Sequence, residues 1–93
     1  MTLGPQDIPM IPRGVRLHED KVRGRWVLLA PERAIDLDPI GHAILLEIDG
    51  ANSIEAIVNT LAGKYDAPAA EISNDVTAYI AGLSERRILE VRT

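Results

Sequence analysis

The hydrophobic pattern of this chain changes period once, at Asp38-Pro39. Before that point, apolar residues such as Val15 and Leu17 alternate with polar ones, as in a half-buried strand. After it, they recur every three or four residues, the spacing of one helix face. The chain has 93 residues, enough for a single domain. Strands followed by helices indicate an α+β fold, and we predict a three-stranded antiparallel meander followed by three helices.

The strand region divides into short segments joined by turns. Val15 to His18 alternates apolar and polar residues, Arg25 to Ala30 is rich in β-prone residues, and Arg33 to Leu37 alternates again. Glu19 to Gly24 is polar and ends in glycine, so we predict a turn there. Pro31-Glu32 predicts a second, tighter turn.

Each predicted helix has a recognisable start. Asp38 precedes a proline at the first helical position and is a suitable N-cap. Either Asn52 or Ser53 caps the second helix, which we expect to stop at Gly63. The third starts near Pro68. The second and third helices have the lengths of a helix-turn-helix, so the predicted domain is winged helix-turn-helix-like.

The N-terminal segment, residues 1–12, is rich in proline. Pro5, Pro9 and Pro12 exclude a helix there and disfavour a central strand. We predict an extended arm over residues 1–12, which docks on its own domain or on a second copy. A single domain is predicted over residues 13–93.

Composition excludes several classes of protein. The chain contains no cysteine, which removes disulfides, thiolate nucleophiles and zinc–cysteine sites. The longest apolar run, Trp26 to Ala30, is much shorter than the ~20 residues that span a bilayer. The first residues lack the basic and apolar regions of a signal peptide. These features predict a cytoplasmic protein that does not enter membranes.

No catalytic or metal-binding pattern is visible. His18 and His42 lie in different predicted elements, without the spacing of metal ligands. There is no nucleophile elbow and no phosphate-binding glycine loop. Gly50 to Ile54 is similar to the serine-bearing segment of phosphopantetheine carrier proteins, but helix capping explains Ser53 and strands precede it. We therefore predict a protein that is not an enzyme and holds no cofactor or metal.

Two segments carry a resemblance to a known family. Trp26 to Asp38 (WVLLAPERAIDLD) is followed by Ile44 to Gly50 (ILLEIDG). Together they closely resemble the PqqD family, small proteins of pyrroloquinoline quinone (PQQ) biosynthesis. Ser53 to Val58 is similar to the family's second helix, and Leu83 to Val91 to its closing segment. The resemblance extends over residues 13–91.

The resemblance implies a function that periodicity alone does not. Family members bind a ribosomally made precursor peptide, PqqA, and present it to a radical S-adenosylmethionine enzyme, PqqE. It therefore implies a peptide chaperone with PqqA and PqqE as partners and without bound quinone. Because small open sheets leave edges that pair, we also predict self-association through the arm or a strand edge.

The family geometry places the peptide beside the third strand of the meander, with the third helix as the second wall. An unpaired strand edge accepts an extended peptide as an added strand. An alternative for most of the apolar side chains is that they form the core. The predicted peptide-binding residues are Arg33, Ala34, Ile35, Asp36, Leu37, Asp75, Val76, Tyr79, Ile80 and Leu83.

A DNA-binding winged helix is the alternative function. The element order permits it, but the candidate recognition helix, Ala69 to Ser84, contains Glu71 and Asp75 and no Lys or Arg. The chain also has a net charge of −4, whereas affinity for nucleic acid depends on clustered basic side chains. We therefore predict no nucleic-acid partner.

Overall fold

The computed structural model describes residues 3–92. The chain order confirms the α+β class, with the antiparallel meander ahead of three helices. A short strand precedes the meander and another follows the helices. The elements are β1 (Ile8–Met10), β2 (Arg16–Asp20), β3 (Arg25–Ala30), β4 (Arg33–Asp36), α1 (Pro39–Leu46), α2 (Ile54–Tyr65), α3 (Ala69–Glu85) and β5 (Glu90–Arg92).

The meander is a sheet of order β2-β3-β4. Leu17 lies opposite Leu28, and Leu28 lies opposite Ile35, so one face of the sheet is apolar across all its strands. β2 continues to Asp20, two residues into the segment that we predicted as a turn. Its last residues pair with Trp26 and Arg25, since an antiparallel strand pairs through polar residues as readily as apolar ones.

Helix caps form largely as the sequence predicts. The Asp38 carboxylate accepts a hydrogen bond from the Gly41 amide (2.6 Å), and Pro39 is the first residue of α1. Of the two candidates for the α2 cap, Ser53 is the one: its hydroxyl accepts from the Ala56 amide at 3.1 Å. Both caps satisfy amides that a helix leaves unpaired at its start.

The prediction that Gly63 ends α2 was wrong. The helix passes through Gly63 to Tyr65 and ends where Asp66 adopts a left-handed conformation (φ 50°). A mid-helix glycine costs only about 0.5–1 kcal/mol. The apolar face of α2, which includes the fully buried Ile57, outweighs that cost because each buried aliphatic side chain contributes about 1.5–3 kcal/mol.

The core lies between the apolar face of the meander and the three helices. It is aliphatic, as a chain without phenylalanine requires. α2 and α3 pack along each other as a helical pair, and Ile88 and Leu89 close the core after α3. The most deeply buried side chains of this core are Leu28, Ile44, Leu45, Ile57, Val76, Ile80 and Leu89, and Pro9 of β1 is buried to the same degree.

The described part of the N-terminal arm docks on its own chain. β1 pairs with β5 in a separate antiparallel sheet. The carbonyl oxygens of Pro5 and Asp7 accept hydrogen bonds from Glu55 and Ile54, each 2.9 Å long, at the start of α2. Pro9 fits because it lies in a strand that has only one neighbour. Met1 and Thr2 of the predicted arm lie outside the described residues.

Candidate functional site

The outer side of β4 is an open strand edge. Among residues 3–92, no strand pairs with β4 other than β3. The Leu37 amide donates to the Trp26 carbonyl (3.0 Å), which identifies that pair as hydrogen-bonded. Inward and outward backbone groups alternate along an antiparallel strand. The amides and carbonyls of Ala34 and Asp36 therefore point away from β3, toward the open edge.

The side chains of β4 divide between two faces. Ile35 and Leu37 are half-buried and pack against the core. Arg33, Ala34 and Asp36 are exposed. Asp36 also forms an ion pair with an arginine of β3 at 3.4 Å, which belongs to the outer face of the sheet. The edge thus offers backbone groups at two positions.

The predicted residues of α3 lie at different depths. Val76, Ile80 and Leu83 are buried, with no more than 4% of any of them exposed. Ile80 and Leu83 belong to the core and support the surface from beneath. Asp75 is exposed, and Tyr79 is half-buried. Of the predicted residues of α3, Asp75 and Tyr79 bring polar groups to the surface beside α1.

Tyr79 packs tightly against the first turn of α1. A Cβ added at Gly41 would lie 2.6 Å from the Tyr79 hydroxyl oxygen, so only glycine leaves room for the ring. Burial, and secondarily the nearby Asp38 carboxylate, raise the pKa of the Tyr79 hydroxyl above its ordinary value of 10.0, against the opposing effect of Arg86. The phenol is therefore protonated at neutral pH and is a hydrogen-bond donor.

A groove separates α1 from α3. It has a volume of ≈ 420 Å³ and includes Asp38 and Gly41 on one side and Asp75, Ala78 and Tyr79 on the other. Asp38 is two residues beyond the end of β4, at most about 7 Å along the chain. The groove therefore starts close to the open strand edge.

Sequence reasoning missed a neighbouring apolar pocket of ≈ 250 Å³ between α1, α2 and α3. Ile40, Ile44 and Asp75 line both this pocket and the groove. Ile40 lies four residues before the buried Ile44, but 62% of Ile40 is exposed. The spacing places it on the same helix face as Ile44, yet spacing does not show where that face leaves the core.

A second missed contact lies beneath the sheet. The ring of Trp26 stacks on His42 of α1, with centroids 4.4 Å apart and planes 19° from parallel. His42 Nε2 is buried without a hydrogen-bond partner among residues 3–92. The stack fixes β3 against α1, the helix that forms one side of the groove.

Other kinds of site are absent from the described residues. Residues 3–92 contain no group of three or more His, Cys, Asp or Glu side chains placed to hold a metal ion. Across the same span, no helix is both long and apolar enough to cross a membrane.

The fold and site define a small α+β domain with an open strand edge beside a helix-lined groove, a surface of the kind that accepts extended peptides. Residues 25–89 match the family model of coenzyme PQQ synthesis protein D (PqqD). The chain belongs to the PqqD family, which confirms the resemblance in its sequence.

Curated relatives carry a function in their names. The "PqqA binding protein" of Rhizobium meliloti (strain 1021) is 51% identical over 81 residues, 87% of this chain and 83% of that protein. The "PqqA binding protein" of Xanthomonas campestris pv. campestris (strain 8004) is 40% identical over 90 residues, 97% of this chain and 98% of that protein. A "Bifunctional coenzyme PQQ synthesis protein C/D" of Methylorubrum extorquens is 48% identical over 84 residues, 90% of this chain but 23% of that protein.

Solved structures agree with the fold. The NMR structure of the PqqD truncation of Methylobacterium extorquens PqqCD is 45% identical, with a TM-score of 0.83 over 96% of this chain and 95% of that chain. It is described as a functional, stand-alone recognition element for ribosomally synthesized and modified peptides. The crystal structure of PqqD from Xanthomonas campestris is 40% identical, with a TM-score of 0.61 over 96% of this chain and 99% of that chain.

Proposed function

We propose that this protein binds the precursor peptide PqqA in PQQ biosynthesis, with the peptide paired as an extra strand on the open edge of β4. The observation that carries the proposal is the outward-facing backbone of Ala34 and Asp36 beside the groove between α1 and α3. The names of two curated relatives support PqqA as the ligand.

Backbone pairing would supply affinity, and the groove would supply specificity. Each outward amide and carbonyl of β4 can pair with the peptide, and such bonds do not depend on the peptide's side chains. The Tyr79 hydroxyl, kept protonated, can donate to the peptide. The site is bordered from the core side by the half-buried Ile35 and Leu37 and the buried Val76. Beneath it, Ile80 and Leu83 hold α3 in place.

We propose that the domain is not an enzyme but presents bound PqqA to the radical enzyme PqqE in the cytoplasm. Relatives and structural neighbours are named as binding proteins or recognition elements, which supports a binding role. We expect PqqE to join the Glu and Tyr of PqqA faster when this protein is present, as measured by mass spectrometry of the product. An equal rate without it would contradict presentation.

Self-association remains a prediction. β1 is engaged with β5 of the same chain, so a second copy would pair at an open strand edge or by exchange of β1. Sedimentation that gives the monomer mass at every concentration would exclude it.

The substitution Ala34→Pro tests the binding mode. Proline removes the outward amide of residue 34 and places its ring at the open edge, while the bonds between β3 and β4 stay intact. We expect affinity for synthetic Rhizobium meliloti PqqA to fall at least about tenfold, or ~1.4 kcal/mol, in isothermal titration calorimetry. A scrambled peptide is the ligand control.

The opposite edge of the sheet provides a matched control. By the same alternation, the Glu19 amide of β2 points outward, so Glu19→Pro makes the same change on the other edge. It should leave PqqA affinity unchanged. Equal affinity of both folded variants and the wild type would contradict strand addition at β4. No saturable binding by the wild type would contradict the proposed function itself.

A further inference from the structure

The apolar pocket between α1, α2 and α3 has two exposed walls. Ile40 is 62% exposed and Tyr65 60%, and both are among the most exposed large apolar side chains of the described residues. Leu61, Ile72 and Val76 contribute further apolar side chains to the lining. Exposed apolar side chains that converge on one concave surface are typical of binding sites. At ≈ 250 Å³ the pocket is smaller than the ~300–1,000 Å³ of small-molecule sites and suits a single side chain.

The pocket continues the proposed peptide path. Ile40, Ile44 and Asp75 border both it and the groove, which itself starts within two residues of β4. A peptide that leaves the β4 edge along the groove therefore reaches the pocket without crossing another element. This continuity favours a side chain of the bound peptide over a separate ligand.

Asp75 is the charged residue of the pocket lining. Its carboxylate is exposed and forms no hydrogen bond or ion pair with any residue in 3–92. Asp38 adds a second negative charge along the groove. A ligand that complements this surface carries a cation beside its apolar group. A second copy of the chain is a poor match because its net charge is −4.

We infer that the pocket accepts one apolar side chain of the precursor peptide and that Asp75 selects an adjacent Lys or Arg. This inference rests on the proposed function. It assigns recognition of sequence to the pocket and Asp75, and strand pairing to the edge of β4. Ala43, in the pocket lining, then limits the size of the accepted side chain.

The first experiment uses two truncations on the same helix. Ile40→Ala removes a pocket wall, and Leu46→Ala removes a side chain that is 57% exposed and lines neither the pocket nor the groove. Because both side chains are largely in solvent, both variants should fold. We expect Ile40→Ala to weaken binding of synthetic Rhizobium meliloti PqqA about tenfold, and Leu46→Ala to bind as the wild type does.

A peptide scan identifies the occupant. Each apolar residue of PqqA is replaced by alanine and each basic residue by glutamine. At one apolar position, the alanine replacement should weaken binding to the wild-type protein about tenfold. The same peptide should bind the Ala43→Leu variant about as well as unmodified PqqA does, because the larger side chain already fills the pocket. One neighbouring basic position should be coupled in the same way to Asp75→Asn, and that variant's binding should depend less on salt.

The outcomes separate the two proposals. No binding of PqqA by the wild type overturns the proposed function. Wild-type binding that Ala34→Pro weakens but Ile40→Ala leaves unchanged overturns only the pocket inference. The pocket inference is also overturned if Ile40→Ala lowers PqqA affinity but the loss is coupled to no position of the peptide. A difference in the mass of the protein in solution between wild type and Ile40→Ala would then assign the pocket to a second copy of the chain.

Discussion

Ile80→Ala is expected to remove about 2–5 kcal/mol from the free energy of unfolding, the range for large-to-small changes in a core. Ile80 is 0% exposed and packs in the aliphatic cluster that joins α3 to the sheet. Domains of this size have little stability to lose, so a large fraction of the total would disappear. Urea denaturation followed by circular dichroism measures the change.

The matched control is Asp75→Ala, five residues earlier on the same helix. Its side chain is exposed and without a partner among residues 3–92, so its effect on stability should stay within about 0.5 kcal/mol. We expect the pair to separate two roles on α3, with Ile80 needed for folding and Asp75 for ligand choice. Ile80→Ala that keeps wild-type stability but loses PqqA affinity would instead place Ile80 in contact with the peptide.

The sequence predicts the architecture well because its strongest signals are local. The change of period at Asp38, the Pro at the first helical position, and Pro31-Glu32 between two β-prone runs each determine an element boundary within a few residues. The failure at Gly63 has the same origin. Local helix propensity favours a stop there, but burial of the opposite face of α2 is a tertiary effect that a local signal does not contain.

The candidate site was less accessible from sequence. Along α3, helical spacing puts Val76, Tyr79, Ile80 and Leu83 on one face. It does not show which part of that face meets the sheet and which part borders a groove. That division depends on how α1 crosses α3, and the clearance at Gly41 determines how closely they approach.

The direction of the β4 backbone was, by contrast, available from sequence. A two-residue hairpin loop closes on a hydrogen-bonded pair, here Ala30 with Arg33. Because inward and outward residues alternate from that pair, the backbone groups of Ala34 and Asp36 point outward. The hydrogen bond that the Leu37 amide donates to β3 is consistent with this alternation. The loop itself is unusual because Glu32 occupies a left-handed position (φ 63°) that glycine prefers after Pro31.

Gly41→Ala is expected to destabilise the protein by about 1–2 kcal/mol, although alanine is the better helix former. The new methyl carbon would lie 2.6 Å from the Tyr79 hydroxyl oxygen, 3.0 Å from the ring carbon that bears it and 3.1 Å from the Asp38 carboxylate. Either the ring or the helix cap must move. Because Tyr79 borders the groove, affinity for PqqA should fall as well. Urea denaturation and calorimetry measure the two effects.

Gly63→Ala is the matched control because it makes the same change inside a helix, where no atom beyond the local helix backbone lies within 4 Å of the new carbon. It should stabilise the protein by about 0.5–1 kcal/mol and leave binding unchanged. Opposite signs of the two stability changes would separate the effect of the close contact with Tyr79 from the effect of helix propensity. Tyr79→Phe removes the nearest atom, so it should recover part of the stability lost in Gly41→Ala. If Gly41→Ala instead stabilises the protein as Gly63→Ala does, Tyr79 is not held against α1, and its place in the binding groove would have to be abandoned.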